Sequence, residues 1–211
     1  MRWIFTNIHL GVYQPLSWLL WAVEYQLWGL NPAGYHLVSL LLHATSALVF
    51  YFIAMRLLDL TMAHDTGKED HSLRVASALA ALLFAIHPLR VEIVGWVSAQ
   101  PYALSGLFFF LSILTYFKVT ALPQESLSRR RYLMASVALF GLALLSKAVA
   151  VTLPLILVLL DVYPLRRLRG NPKEWFGEST VWIWREKLPF FLVGLGGIIT
   201  GLYATSINAP M

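Results

Sequence analysis

Cysteine is absent from all 211 residues, which excludes disulfides, thiolate nucleophiles and Cys-ligated zinc or iron–sulfur centres. Charge is scarce as well. Asp, Glu, Lys and Arg make up 13% of the chain, about half the share found in soluble domains. No P-loop, dinucleotide fingerprint, HExxH or GxSxG string occurs, so the phosphate-cradling, zinc-peptidase and nucleophile-elbow chemistries have no carrier. No internal repeat is visible at periods of roughly 20–50 residues. What is abundant is apolar surface: 58% of residues are hydrophobic and the mean hydropathy is +0.67. These values describe an integral membrane protein. The net charge of +5 then reports which loops face the cytoplasm, not a nucleic-acid partner.

A bilayer core of about 30 Å takes roughly 20 apolar helical residues. Six uncharged runs approach that length and place helices near 35–58, 73–87, 102–118, 131–146, 148–163 and 188–207. The expected fold class is all-α: a polytopic bundle of about six transmembrane or re-entrant helices with interfacial helices beside it. If all six cross, thirteen of the sixteen basic residues fall on one side, leaving Arg2, Arg90 and Lys147 on the other. The positive-inside rule makes the crowded side cytoplasmic. Residues 1–32 then form an external interfacial segment, part of a first outer loop, and 33–211 form the transmembrane domain, with the His87–Tyr102 loop also outside. One continuous helix over 132–160 would bury Lys147 in mid-membrane, at about 2.5–3.5 kcal/mol, so a hairpin turning near Lys147 is expected.

An external start calls for a signal peptide or an earlier span, and residues 1–30 hold neither, which predicts a fragment of a longer protein. Pro15 opens a helix over 15–27 whose Trp18, Trp21, Tyr25 and neighbouring Trp28 suit the outer interface, as an aromatic belt or as a ligand-stacking platform. Segments 59–74 and 120–131 read as solvated connectors. Segment 164–187, with Trp175, Trp182 and Trp184 among Lys173, Arg185 and Lys187, reads as an amphipathic surface helix on anionic headgroups. Asp161 reads as interface structure.

Ionisable groups at membrane depth carry a functional hypothesis by default. The densest set is the outer loop His87-Pro-Leu-Arg-Val-Glu92, continuing through Trp96 and Ser98 to Gln100 and Tyr102. Arg90 could hold a phosphate, while His87 or Glu92 orients a hydroxyl. The alternative is an Arg90–Glu92 surface pair with His87 as a helix cap. Lys147, at the second outer turn, is either a phosphate ligand or a snorkelling cation. His36 and His43 share a helical face but lack a third ligand, so no metal site is expected.

Several strings occur in order: Tyr13-Gln-Pro-Leu-Ser-Trp18, Gly29-Leu-Asn-Pro-Ala-Gly-Tyr-His36 with Leu40-Leu-Leu-His43, His87-Pro-Leu-Arg-Val-Glu92 with Trp96-Val-Ser98, Leu104-Ser-Gly-Leu-Phe-Phe109, and Leu145-Ser-Lys147 with Thr152-Leu-Pro-Leu155 and Leu160-Asp-Val-Tyr-Pro164. Together they closely resemble the membrane part of bacterial relatives of the transmembrane-and-TPR O-mannosyltransferase family, within the GT-C glycosyltransferase superfamily. The resemblance covers nearly the whole chain and implies a GT-C-like bundle in the bacterial inner membrane. It implies transfer of a sugar from a polyprenyl-phosphate carrier to a protein or other acceptor on the outer, periplasmic face, with no nucleotide and no further cofactor evident.

In that family the catalytic carboxylate belongs to an acidic pair in the first external loop, a segment expected before Met1, and TPR repeats are expected after Met211. Glu24 does not stand in that pattern. Where many relatives carry a Ser-Glu-Arg-Lys-Asp type sequence, this chain has Ser98-Ala-Gln-Pro-Tyr102. The resemblance assigns the carrier phosphate to Arg90 and Lys147, and polar support of the sugar to His87 and Glu92; Gln100 and Tyr102 join the candidate carrier-binding set as polar residues of the same outer loop. A non-catalytic membrane scaffold, or a lipid-binding or transporter-like module, is the alternative.

Overall fold

The computed structural model describes residue 8 and residues 11–62, 71–168 and 172–207. Arg2, Trp3, His9, Lys68 and Arg169 lie outside the described residues. Among the described residues the structure is helical: α1 (Pro15–Trp28), α2 (Pro32–Met62), α3 (His71–Ile86), α4 (Val91–Gly95), α5 (Gln100–Ala121), α6 (Leu127–Ser146), α7 (Leu153–Val162) and α8 (Val181–Ile207). Short 3₁₀ turns at Pro88–Arg90, Val97–Ala99, Ala148–Thr152 and Pro172–Glu174 join them.

Three helical stretches, Pro32–Met62, Val97–Ala121 and Val181–Ser206, are long and apolar enough to cross a membrane. A fourth crossing results if α3 and the Pro88–Gly95 turn, bent by 53°, count as one span. At 31 residues, α2 reaches roughly 46 Å at 1.5 Å per residue, longer than the hydrocarbon core. Large apolar side chains cover the lipid-facing surface, among them Leu41 and Leu48 on α2, Leu82 and Leu83 on α3, and Leu192 and Leu202 on α8. The chain is an all-α integral membrane protein.

Inside the bundle, Val49, Ile53, Ile113, Phe117, Phe140, Leu157 and Phe190 form one apolar core. Burial alone does not drive helices together in lipid, so close packing and hydroxyl bridges carry more of the association. Two such bridges tie α5 to α6. Ser112 and Ser136 each donate to the other's backbone carbonyl at 2.8 Å, and Ser105 donates to the Ala143 carbonyl at 2.9 Å.

Pro15 stands in the first turn of α1, where its missing N–H costs nothing. Gly29 ends that helix at φ +58°, a left-handed conformation that glycine adopts without strain. The chain then turns sharply into α2. The Tyr35 hydroxyl donates to the Gly29 carbonyl at 2.8 Å, and Asn31 Oδ1 accepts from the Ala33 N–H at 3.1 Å. At Gly34 any Cβ would lie 2.3 Å from the Trp28 ring. Only glycine allows this corner.

Three readings of the connecting segments change. Trp182, Trp184 and Lys187 belong to the opening turns of α8, not to a separate surface helix. Arg129, assigned to a solvated connector, is buried, and so is Asp161. The physical reason is shared: these charged groups satisfy one another inside the bundle.

Candidate functional site

Helix α6 stops where Lys147 becomes extended, at φ −160°. The following 3₁₀ turn and α7 carry the chain back along the bundle, and this reversal leaves Lys147 at the bundle end. Its ammonium donates to Gln14 Oε1 at 3.3 Å and sits 4.8 Å from the centre of the Tyr102 ring. The Ser17 hydroxyl holds α1 against this end, donating to the Ser146 carbonyl at 2.8 Å.

Lys147 lines a cavity of about 610 Å³ between the Gly11–Gln14 segment, α6 and α8. The room comes from missing side chains. Beyond Gly141 and Gly196, a Cβ would meet nothing within 4 Å, whereas at Gly197 it would lie 3.2 Å from Leu144. The first two open a groove and the third lets the helices close beneath it. Leu144, Leu145 and Val193 supply apolar wall, Thr200 and Thr205 add hydroxyls, and among the described residues Lys147 is the one charged residue in the lining.

Gln100, at the start of α5, meets Glu24 of α1. Gln100 Nε2 donates to Glu24 Oε1 at 2.6 Å and reaches the Tyr35 carbonyl at 3.4 Å. Both side chains are buried, and Glu24 Oε2 and Gln100 Oε1 have no hydrogen-bond partner among the described residues. Burial raises the Glu24 pKa above the ordinary carboxylate value, and the hydrogen bond from Gln100 partly opposes this.

His87 and Arg90 line a different cavity, of about 350 Å³, together with Leu40, His43, Ala85 and Val94. The two cavities share no lining residue. His87 caps the Pro88–Arg90 turn, its Nδ1 accepting from the Leu89 N–H at 3.3 Å. Arg90 lies 4.3 Å from the centre of the Phe84 ring. No Arg90–Glu92 ion pair forms among the described residues, and Glu92 is exposed. Of the six sequence-predicted residues, the fold thus brings Lys147 to Tyr102, gives Gln100 to Glu24, joins His87 to Arg90, and leaves Glu92 apart.

The opposite end of the bundle holds a cluster that the sequence did not reveal. Asp161 accepts from the Tyr116 hydroxyl at 2.9 Å, from Arg167 at 2.8 Å, and from Lys187. Glu186 accepts from Arg129 at 2.5 Å and from Arg167. The Lys187 ammonium also reaches the Tyr116 hydroxyl. Asp161 and Lys187 are fully buried. The only available signal was that Asp161 and Lys187 each adjoin a long apolar run. Among the described residues, no group of three or more His, Asp or Glu side chains is placed to hold a metal ion.

Fold and site together define a helical membrane protein with an apolar groove tipped by the Lys147 cation. The chain belongs to the family of the Protein O-mannosyl-transferase TMEM260 N-terminal domain, which matches residues 14–168. That match takes in α1 to α7 and stops before α8, which supplies one wall of the groove. Protein O-mannosyl-transferase TMTC4 of Mus musculus is 31% identical over 160 residues, covering 74% of this chain and 22% of the relative. The human protein of that name is 33% identical over 143 residues, covering 66% and 19%. Protein O-mannosyl-transferase tmtc2 of Xenopus laevis is 31% identical over 159 residues, covering 75% and 18%. The chain spans about a fifth of the length of these curated relatives. No solved structure matches it.

Proposed function

We propose that this chain is the carrier-binding part of a membrane glycosyltransferase that moves a sugar from a polyprenyl phosphate to a hydroxyl of a protein acceptor on the outer face. The names of its relatives support the transferase class. The observation that carries the site is the 610 Å³ groove, apolar along its walls, with Lys147 as its one charged residue among those described. Such a shape suits an isoprenoid chain ending in a phosphate.

In the transfer, the acceptor oxygen bonds to the sugar C1 while the C1–O bond to phosphate breaks. The carrier leaves as a phosphate monoester, the acceptor proton passing to that monoester or to water. Negative charge grows on the leaving phosphate, where Lys147 stabilises it. Glu24 is too enclosed to meet an acceptor, and the groove lining contains no carboxylate among the described residues. That last fact favours a second reading, a lipid-binding module without catalysis of its own.

The test uses the full-length protein in lipid nanodiscs. Lys147→Met removes the charge and keeps the length, and we expect it to weaken polyprenyl-phosphate binding about tenfold, the equivalent of about 1.4 kcal/mol. Gly196→Phe, which fills the groove, should weaken it with the charge intact. Unchanged affinity in both variants refutes the site. Tight binding without sugar transfer in the wild-type protein selects the second reading.

A further inference from the structure

The cavity at Arg90 is built differently from the groove at Lys147, and it stands apart from the carrier reading. It lies where α3 ends and the chain bends by 53° into α4, with α2 as its far wall. Its lining carries one permanent cation, Arg90, two imidazoles, and no carboxylate.

The hydrogen-bonding state of each polar group can be assigned. His87 Nδ1 accepts the Leu89 N–H, so the neutral ring carries its proton on Nε2 and presents a donor. His43 Nε2 lies 2.9 Å from the Ala85 carbonyl, which can only accept, so that nitrogen donates and the ring is held in place. The Arg90 guanidinium stacks on Phe84, and its N–H groups have no hydrogen-bond or ion-pair partner among the described residues. A stacked guanidinium keeps its planar edge free, and that edge matches two phosphate oxygens at once.

The rim is apolar and open to lipid. Ile86, Leu89, Val91 and Trp96 are all exposed, Leu89 at 79%, and they continue the lipid-facing surface of α3 formed by Leu79, Leu82 and Leu83. Leu40 and Val94 line the cavity itself. An occupant therefore has an anionic head at Arg90 and an apolar tail running onto α3. Among the described residues the lining itself presents a cation and no carboxylate, which favours a headgroup of net negative charge.

We propose that the cavity between α2, α3 and α4 binds the phosphate of an anionic glycerophospholipid of the surrounding bilayer, with Arg90 as its ion-pairing partner, His87 as a second donor, and acyl chains over Leu40 and Val94. The site is separate from the carrier groove and anchors the bent α3–α4 corner to the membrane surface.

The experiment is native mass spectrometry of the full-length protein released from mixed micelles containing phosphatidylglycerol, phosphatidylcholine or polyprenyl phosphate. Arg90→Gln should retain at least about tenfold less phosphatidylglycerol, with phosphatidylcholine retention unchanged and polyprenyl-phosphate retention equal to wild type. Val94→Trp, which fills the cavity and leaves the charge, should lower phosphatidylglycerol retention as well. Lys147→Met should leave phosphatidylglycerol untouched. Equal phosphatidylglycerol retention by wild type, Arg90→Gln and Val94→Trp would overturn the site. So would displacement of the lipid by millimolar inorganic phosphate, which would mark a soluble-anion site. Loss of polyprenyl phosphate in Arg90→Gln would instead give this cavity to the carrier.

Discussion

Glu24 is a carboxyl group held where water does not reach, facing an amide. Its partner Gln100 donates to one carboxylate oxygen, which leaves the other carboxylate oxygen and the Gln100 amide oxygen without a donor. A proton on Glu24 Oε2 would donate toward the unpaired amide oxygen, so the neutral acid suits this place better than the anion. Because the folded state holds that proton more tightly than the unfolded chain, stability is greatest below the ordinary carboxylate range and falls as pH rises through the raised folded value. Thermal unfolding in detergent should show that decline, and Glu24→Gln should flatten it. The same substitution supplies the missing N–H donor, so we expect a gain of about 1 kcal/mol at neutral pH. A pH profile identical to wild type, with no gain, would show that the carboxyl is not responsible.

At the scale of the helices, the Asp161 cluster fastens α5, α7 and α8 to one another and to the 164–168 turn through a few buried charges. Removing one member of such a set strands another charge, at about 3–5 kcal/mol. Lys187→Met and Asp161→Asn should each lower the unfolding midpoint sharply. The double variant should lose clearly less than the two single losses combined, since neither charge is then left without its opposite. Simple additivity would mean that Lys187 is held mainly by Tyr116 and not by Asp161. The apolar runs announced the helices, because uncharged length is what a bilayer selects. They did not announce this cluster. Lys187 and Asp161 are 26 positions apart, and Tyr116 is 71 positions from Lys187, so their meeting depends on how helices pack and leaves no local pattern. Arg185, Glu186 and Lys187 look like the solvated boundary of a span when read along the chain, whereas two of the three face inward. The candidate site was legible in part for the same reason. Lys147 stood out as a lone cation between apolar runs, but of the two glycines that open its groove only Gly141 is near it in sequence, while Gly196 belongs to α8, about 50 positions away, and small residues in a span ordinarily signal close packing.

For the whole molecule, we expect from the distribution of basic residues an orientation with Ser98 outside and Ser128 inside. Since the chain has no cysteine, a single introduced thiol can be labelled without background. A membrane-impermeant maleimide added to intact cells should modify Ser98→Cys at once and Ser128→Cys only after permeabilisation, both positions being exposed. The reverse pattern would invert the orientation and move the Lys147 groove to the cytoplasmic face.

The corner at Gly34 extends this to mechanics. With the Trp28 ring filling the place of a side chain there, α1 meets α2 in a tight corner, while its other end is tied to α6 by Ser17 and to Lys147 by Gln14. A tilt of α2, as happens when a bilayer thins or thickens around a long helix, would therefore load these two contacts at the mouth of the groove.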